Sequence, residues 1–144
     1  MAGTVIQLNK GDILGHEFCG VVDQVGPAVK NIKVGKRYVA SFQIACGDVR
    51  RPSSLLFRAR FICLELTLLS RQCFYCEQKL SSQCEVTNSN TIMKAMYGSQ
   101  TAGLFGYSHL AGGFAGGQAE YVRVPLADVN LLEIPDGIPD EKGM

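Results

Sequence analysis

Cys73, Cys76 and Cys84 stand in the spacing C-x2-C-x7-C, and Cys46 precedes them across 26 intervening residues. A Cys-x-x-Cys turn presents two sulfurs to one side of the chain, so such a cluster draws the backbone into a knot around a shared centre. That centre is read as a metal ion rather than disulfides. The N-terminal stretch MAGTVIQLNKGD lacks the charged-then-apolar layout of a secretion signal, and the chain contains no N-x-S/T sequon. Both point to a reducing compartment, the cytoplasm, where six cysteines favour metal binding.

Residues 49–72 differ from everything around them. They hold five of the seven arginines but none of the seven lysines and none of the sixteen glycines. The run LLFRARFICLELTLLS could form an amphipathic helix, but its charges interrupt it before the ~20 apolar residues that a membrane span requires. With these residues removed, the chain reads Cys46-Gly47-Asp48-Cys73-Phe74-Tyr75-Cys76, and the spacing becomes C-x2-C-x2-C-x7-C. Four thiolates so spaced can wrap a tetrahedral zinc and leave no open position for substrate. Such a zinc is structural.

Valine codons begin GT and glutamine can be encoded CAG. An insertion opening at Val49 and closing at Gln72 therefore has the form of an in-frame, untranslated-in-origin intron that was retained. Its composition, its boundaries and the zinc spacing all fit that reading. An evolved loop insertion is the alternative, and in that case residues 49–72 would be a partner-binding segment on a non-enzymatic zinc module.

Elsewhere, short β-branched runs alternate with glycine-rich turns, and strands are expected over residues 20–25, 37–42, 119–125 and 128–134. The expected fold class is mainly β, a compact barrel with long functional loops. The glycines of residues 103–117 fit neither G-x-G-x-x-G nor G-x-x-x-x-G-K-[ST], so they are read as tight turns rather than a phosphate cradle. A net charge of +1 supplies no field for nucleic acid or anionic lipid, and neither is expected as a partner.

Near the N-terminus, Gly15-His16-Glu17 is followed by Gly20, Gly26 and Val29. The run GHEFCGVVDQVGPAV resembles the signature GHExxGxxxxxGxxV of zinc-containing medium-chain alcohol dehydrogenases. NIKVGKRYVA is similar to the VGDRV turn and strand of that family, with Lys36 replacing the usual acidic residue. The restored cysteine spacing resembles the family's structural-zinc lobe, and GGQAEYVRVP its glycine-containing loop and AEY strand. The cysteine lobe and the GYSHLAGGFAGGQAEY stretch resemble most closely the formaldehyde-dehydrogenase-like branch.

The resemblance implies a GroES-like distorted β-barrel with a four-cysteine structural-zinc lobe, residues 1–144 being a partial domain of this kind and carrying no Rossmann domain. By that matching, Cys46, Cys73, Cys76 and Cys84 are structural-zinc ligands. His16 is a catalytic-zinc ligand, and Glu17 is the neighbouring carboxylate that tunes the metal. The resemblance further implies hydride transfer between a small alcohol or aldehyde and NAD(P), and homo-oligomeric full-length relatives. It places another ligand in an upstream CGxD-type motif, and cofactor binding in a domain for which residues 135–144 begin the linker. The chain is therefore expected to be inactive by itself. Cys19 is read as a small buried apolar residue, and Cys63 belongs to the inserted segment.

Overall fold

The computed structural model describes residues 7–47 and 73–143. The inserted segment 49–72, with Cys63 and the expected helix, lies outside the described residues. Two antiparallel sheets form the frame. Strand β2 (Arg37–Ala40) is the centre of a three-stranded sheet, paired on one side with β1 (Cys19–Val21) and on the other with β5 (Leu131–Glu133). The register sets Gly20 against Tyr38, and Val39 against Leu132. Strand β2 alternates as a half-buried strand should, with Tyr38 and Ala40 inward. A second, two-stranded sheet pairs β3 (Gln43–Ile44) with β4 (Gly103–Leu104), Ile44 lying opposite Gly103.

Phe105 and Ile44 are fully buried where the sheets meet. The Phe18 and Phe114 rings lie edge-on to Phe105, with centroids 5.2 and 6.4 Å away. Such contacts add to what area burial alone supplies.

Two expected strands are corrected. Residues 128–134 do not run extended throughout: a helical turn, α3 (Ala127–Asn130), precedes β5. The cause is Asn130, buried and committed to backbone partners. Its Oδ1 accepts from the Ala45 N–H at 2.8 Å, while its Nδ2 donates to the carbonyls of Ala45, Pro125 and Leu126. Closing the last two contacts requires the chain to curl, and the side chain then serves Ala45 as a neighbouring strand would.

Residues 119–125 form no strand either. The alternation in AEYVRV suits a strand, but a ladder needs an adjacent edge. Here a groove of about 640 Å³ separates this stretch from Phe18, Gly20 and Val22. Tyr121 is left 76% exposed. The strands expected over residues 20–25 and 37–42 are present but shorter.

Helix α1 (Phe74–Glu77) opens the cysteine lobe. Helix α2 (Thr91–Tyr97) was not anticipated. It starts at Asn90, whose side chain accepts from the N–H groups of Ile92 and Met93, and stops at Gly98 in the left-handed region. A final turn, α4 (Asp140–Gly143), ends the described chain. Arg37 ties it down, with Nη1 2.6 Å from Asp140 Oδ1 and Nη2 2.9 Å from the Ile138 carbonyl. Among the described residues, no helix is long and apolar enough to cross a membrane.

Candidate metal centre

The four cysteines come together. Cys73 precedes α1 and Cys76 lies within it, so one helical turn delivers two sulfurs to the same side. The backbone then reverses at Lys79, which has a positive φ of 60°. A 3-10 turn, Ser81–Gln83, carries the chain to Cys84. Cys46 enters from the other direction, two residues beyond β3. The Ala102 N–H donates to the Ser82 carbonyl at 3.1 Å and fastens the lobe to the approach to β4.

The sulfur atoms of Cys46, Cys73, Cys76 and Cys84 all lie within 4.8 Å of one another. Cys46 Sγ is 3.6 Å from Cys76 Sγ, and Cys73 Sγ is 3.9 Å from Cys84 Sγ. A tetrahedron with Zn–S bonds of ~2.3 Å has sulfur–sulfur edges of about 3.8 Å. Both measured separations fall near that edge and far beyond the ~2.05 Å of a disulfide. Cys73 and Cys84 have no exposed surface, Cys76 is 7% exposed, and Ala45 and Ala102 complete a small apolar shell. The donor set, its spacing and its burial therefore fit a closed tetrahedral metal site.

The environment treats the thiols unequally. Burial pushes the Cys76 thiol up, against hydrogen bonding from the Gly47 backbone. At Cys84 burial acts in the same direction but is outweighed. Hydrogen bonds from the Thr87 hydroxyl and from the backbone N–H groups of Val86, Cys46 and Thr87 bring the thiol down to about 7. Hydrogen bonds to the charged form favour the thiolate, the species that ligates.

His16 and Glu17 stand apart from this cluster, exposed on the loop before β1. The His16 ring lies edge-on to the Phe42 ring, with centroids 6.2 Å apart. Among the described residues, the four cysteines are the one group of three or more His, Cys, Asp or Glu side chains that could hold a metal. The loop itself is tightly placed. Residues 13–15 run beside 116–118, joined by bonds from the N–H groups of Gly116, Gly117 and Gln118 at 2.8 to 3.0 Å. A Cβ on Gly106 or on Gly116 would collide with the Gly15 backbone.

These glycines are therefore more than turn formers, which corrects part of the tight-turn reading: they let three backbone segments cross at contact distance. Cys19 is half-buried rather than buried, and burial followed by the Asp140 charge raises its thiol. Thr87, in a bend, and Asn130, in a helical turn, were missed because single polar side chains in short irregular stretches leave no local pattern.

Residues 1–136 match the alcohol dehydrogenase GroES-like domain family. The chain belongs to that family. It is 36% identical over 143 residues to a zinc-type alcohol dehydrogenase-like protein of Schizosaccharomyces pombe, covering 99% of this chain and 28% of that protein. It is 31% identical over 127 residues to the glutathione-independent formaldehyde dehydrogenase of Pseudomonas aeruginosa, covering 88% of this chain and 23% of that one. Among solved structures, alcohol dehydrogenase TADH from Thermus sp. ATN1 superposes with a TM-score of 0.61 at 29% identity. That match covers 91% of this chain and 27% of the other. The chain thus spans about a quarter of the length of the relatives it matches, and its fold is the GroES-like domain of zinc-type alcohol dehydrogenases.

Proposed function

We propose that this chain is part of a zinc-dependent alcohol or aldehyde oxidoreductase, in which Cys46, Cys73, Cys76 and Cys84 hold a structural zinc. The observation that carries the reading is the set of four sulfurs within 4.8 Å of one another. In the same proposal His16 is a ligand of a second, catalytic zinc and Glu17 is the adjacent carboxylate. The exposed loop position of both residues and the glycine crossing that holds Gly15 support this assignment. Bound there, zinc would supply Lewis-acid polarisation of a substrate oxygen for hydride transfer to NAD(P). His16 would offer one ring nitrogen to that ion, with its ring edge-on to Phe42. Three protein ligands are the norm for catalytic zinc, so the polypeptide alone is expected not to turn over alcohols.

Residues 49–72 are proposed to be an insertion of retained-intron origin. Cys46 and Cys73 flank it, yet their sulfurs meet at a distance that a direct Cys-x-x-Cys spacing would also allow. Lengthening that loop from two to 26 intervening residues costs only about 2 kcal/mol in closure entropy. Structural zinc typically supplies roughly 10–16 kcal/mol, so the lobe can close despite the insertion.

Metal analysis of the full chain tests the central assignment. One zinc per chain is expected, with tetrahedral four-thiolate absorption after cobalt exchange and no NAD(P)H formed from a panel of small alcohols and aldehydes. A chain that retains no zinc, or turnover well above a His16→Ala control, overturns the corresponding half of the proposal. Genomic DNA in which codon 72 does not end in AG, or a mature transcript from normal splicing that keeps codons 49–72, removes the intron origin.

A further inference from the structure

Thr87 lies three residues beyond Cys84 and is half-buried where the cysteine lobe meets the two-stranded sheet. Its hydroxyl donates to the Ile44 carbonyl at 2.6 Å and accepts from the Gly103 N–H at 3.0 Å. Ile44 and Gly103 are the residues that the β3–β4 register sets opposite each other. The hydroxyl is thus wedged into the ladder, in contact with both strands.

Each strand leads toward the lobe. Ile44 is two residues before the ligand Cys46, while Gly103 follows Ala102, which is bonded to the Ser82 carbonyl beside Cys84. The hydroxyl carries a single proton, which it gives to the Ile44 carbonyl, and its oxygen takes the Gly103 N–H. One side chain, three residues beyond Cys84, therefore touches both the strand that delivers Cys46 and the strand that supports the 3-10 turn.

We propose that Thr87 is the positioning residue of the four-cysteine centre, its hydroxyl fixing the Cys84 segment against the Cys46 segment and so setting how slowly the lobe releases its metal. The inference rests on the structural-zinc reading. A methyl group cannot replace the hydroxyl, because a hydrocarbon there would strand the Gly103 N–H and leave the Ile44 carbonyl without the donor that Thr87 supplies.

The test uses the full chain loaded with cobalt, read by its thiolate-to-cobalt charge-transfer absorption during transfer to a chromophoric chelator. Thr87→Val, nearly isosteric but without the hydroxyl, should release cobalt at least about tenfold faster, the scale for losing an outer partner of a metal ligand. Thr87→Ser should stay within about twofold of the parent chain. Melting by far-ultraviolet dichroism runs in parallel. A Thr87→Val chain that melts lower yet releases cobalt at the parent rate assigns the hydroxyl to the ladder alone and overturns the inference. If Thr87→Val does not fold, Thr87→Ser decides: parent-like release supports the hydroxyl, and release tenfold faster overturns it. A parent chain that gives no four-thiolate cobalt spectrum removes the zinc reading and this inference with it, whereas a normal parent spectrum with an unaffected Thr87→Val removes only the inference.

Discussion

The cysteine lobe and the His16 loop both carry residues suited to zinc, but only the first is complete in itself. Four sulfurs lie within 4.8 Å of one another, three of them on buried residues and the fourth, on Cys46, half-buried. His16 and Glu17 lie exposed, and the described residues bring no third ligand to them. The difference follows from where the donors come from. Three of the lobe's four ligands arise from one helical turn and the 3-10 turn after it, so local folding assembles most of the site. The loop instead holds a single exposed imidazole beside a crossing of glycine backbones, with no second donor cluster around it among the described residues. Under the proposed function, the closed cysteine site and the His16 site would thus be built by different means within one domain.

The largest expected effect separates these two sites directly. Cys73→Ser removes one of four ligands from a fully buried position, and zinc content should fall from about one per chain to near zero. The lobe should unfold with it, since the metal's binding free energy is also folding energy. His16→Ala, at an exposed position, should leave zinc content unchanged and stability within about 0.5 kcal/mol. Elemental analysis and thermal melts of the two variants give the comparison. Equal zinc loss in both would collapse the distinction between the regions.

A smaller effect probes how the loop is held. Gly106→Ala places a methyl against the Gly15 backbone, and at Gly106 itself φ is +53°. The expected cost is about 1–3 kcal/mol, as for overpacking in a filled core, and it should appear as a melting temperature lowered by several degrees. Zinc content should not change, because the crossing lies away from the cysteines. Loss of zinc in Gly106→Ala would show that loop and lobe fold as one unit.

The two regions were also unequally legible in the sequence. Ligand spacing is a property of the local chain, so Cys73, Cys76 and Cys84 could be grouped before any coordinates, and Cys46 joined them once residues 49–72 were set aside. Helix α2 carried local signals too, an asparagine at the N-cap and a glycine at the stop, but its seven residues are too few for a clear apolar period. Pairing, in contrast, is a tertiary property. Residues 119–125 have the alternation of a strand and the structure gives them no partner edge. Asn130 turns the chain into a helical turn because of Ala45, 85 residues away, and nothing near Asn130 announces that. The glycines of residues 103–117 were visible as glycines, while the backbone crossing that needs them depends on residues 13–15.

The smallest expected effect lies at the edge of the His16 loop and carries a defined pH dependence. Asp12 Oδ2 accepts from the Asn9 N–H at 2.8 Å, and its Oδ1 lies 3.1 Å from His109 Nε2. The Asn9 hydrogen bond holds the carboxyl below its ordinary 3.8; partial desolvation opposes it, and the hydrogen bond and charge of His109 add to it. A carboxyl depressed on folding binds its proton more readily in the unfolded chain. Its stabilising contribution is therefore present above about pH 3.8 and is lost as pH falls through the lower folded value. Asp12→Asn keeps the shape and removes the charge, so it should melt slightly below the parent at pH 7, with the gap closing between about pH 4 and pH 2. Acid also protonates the cysteines, but it does so in both chains, and the quantity read is their difference. A gap that persists unchanged at the lowest pH would mean that the charge of Asp12 is not what stabilises the loop, making this region as insensitive to charge as the glycine crossing beside it.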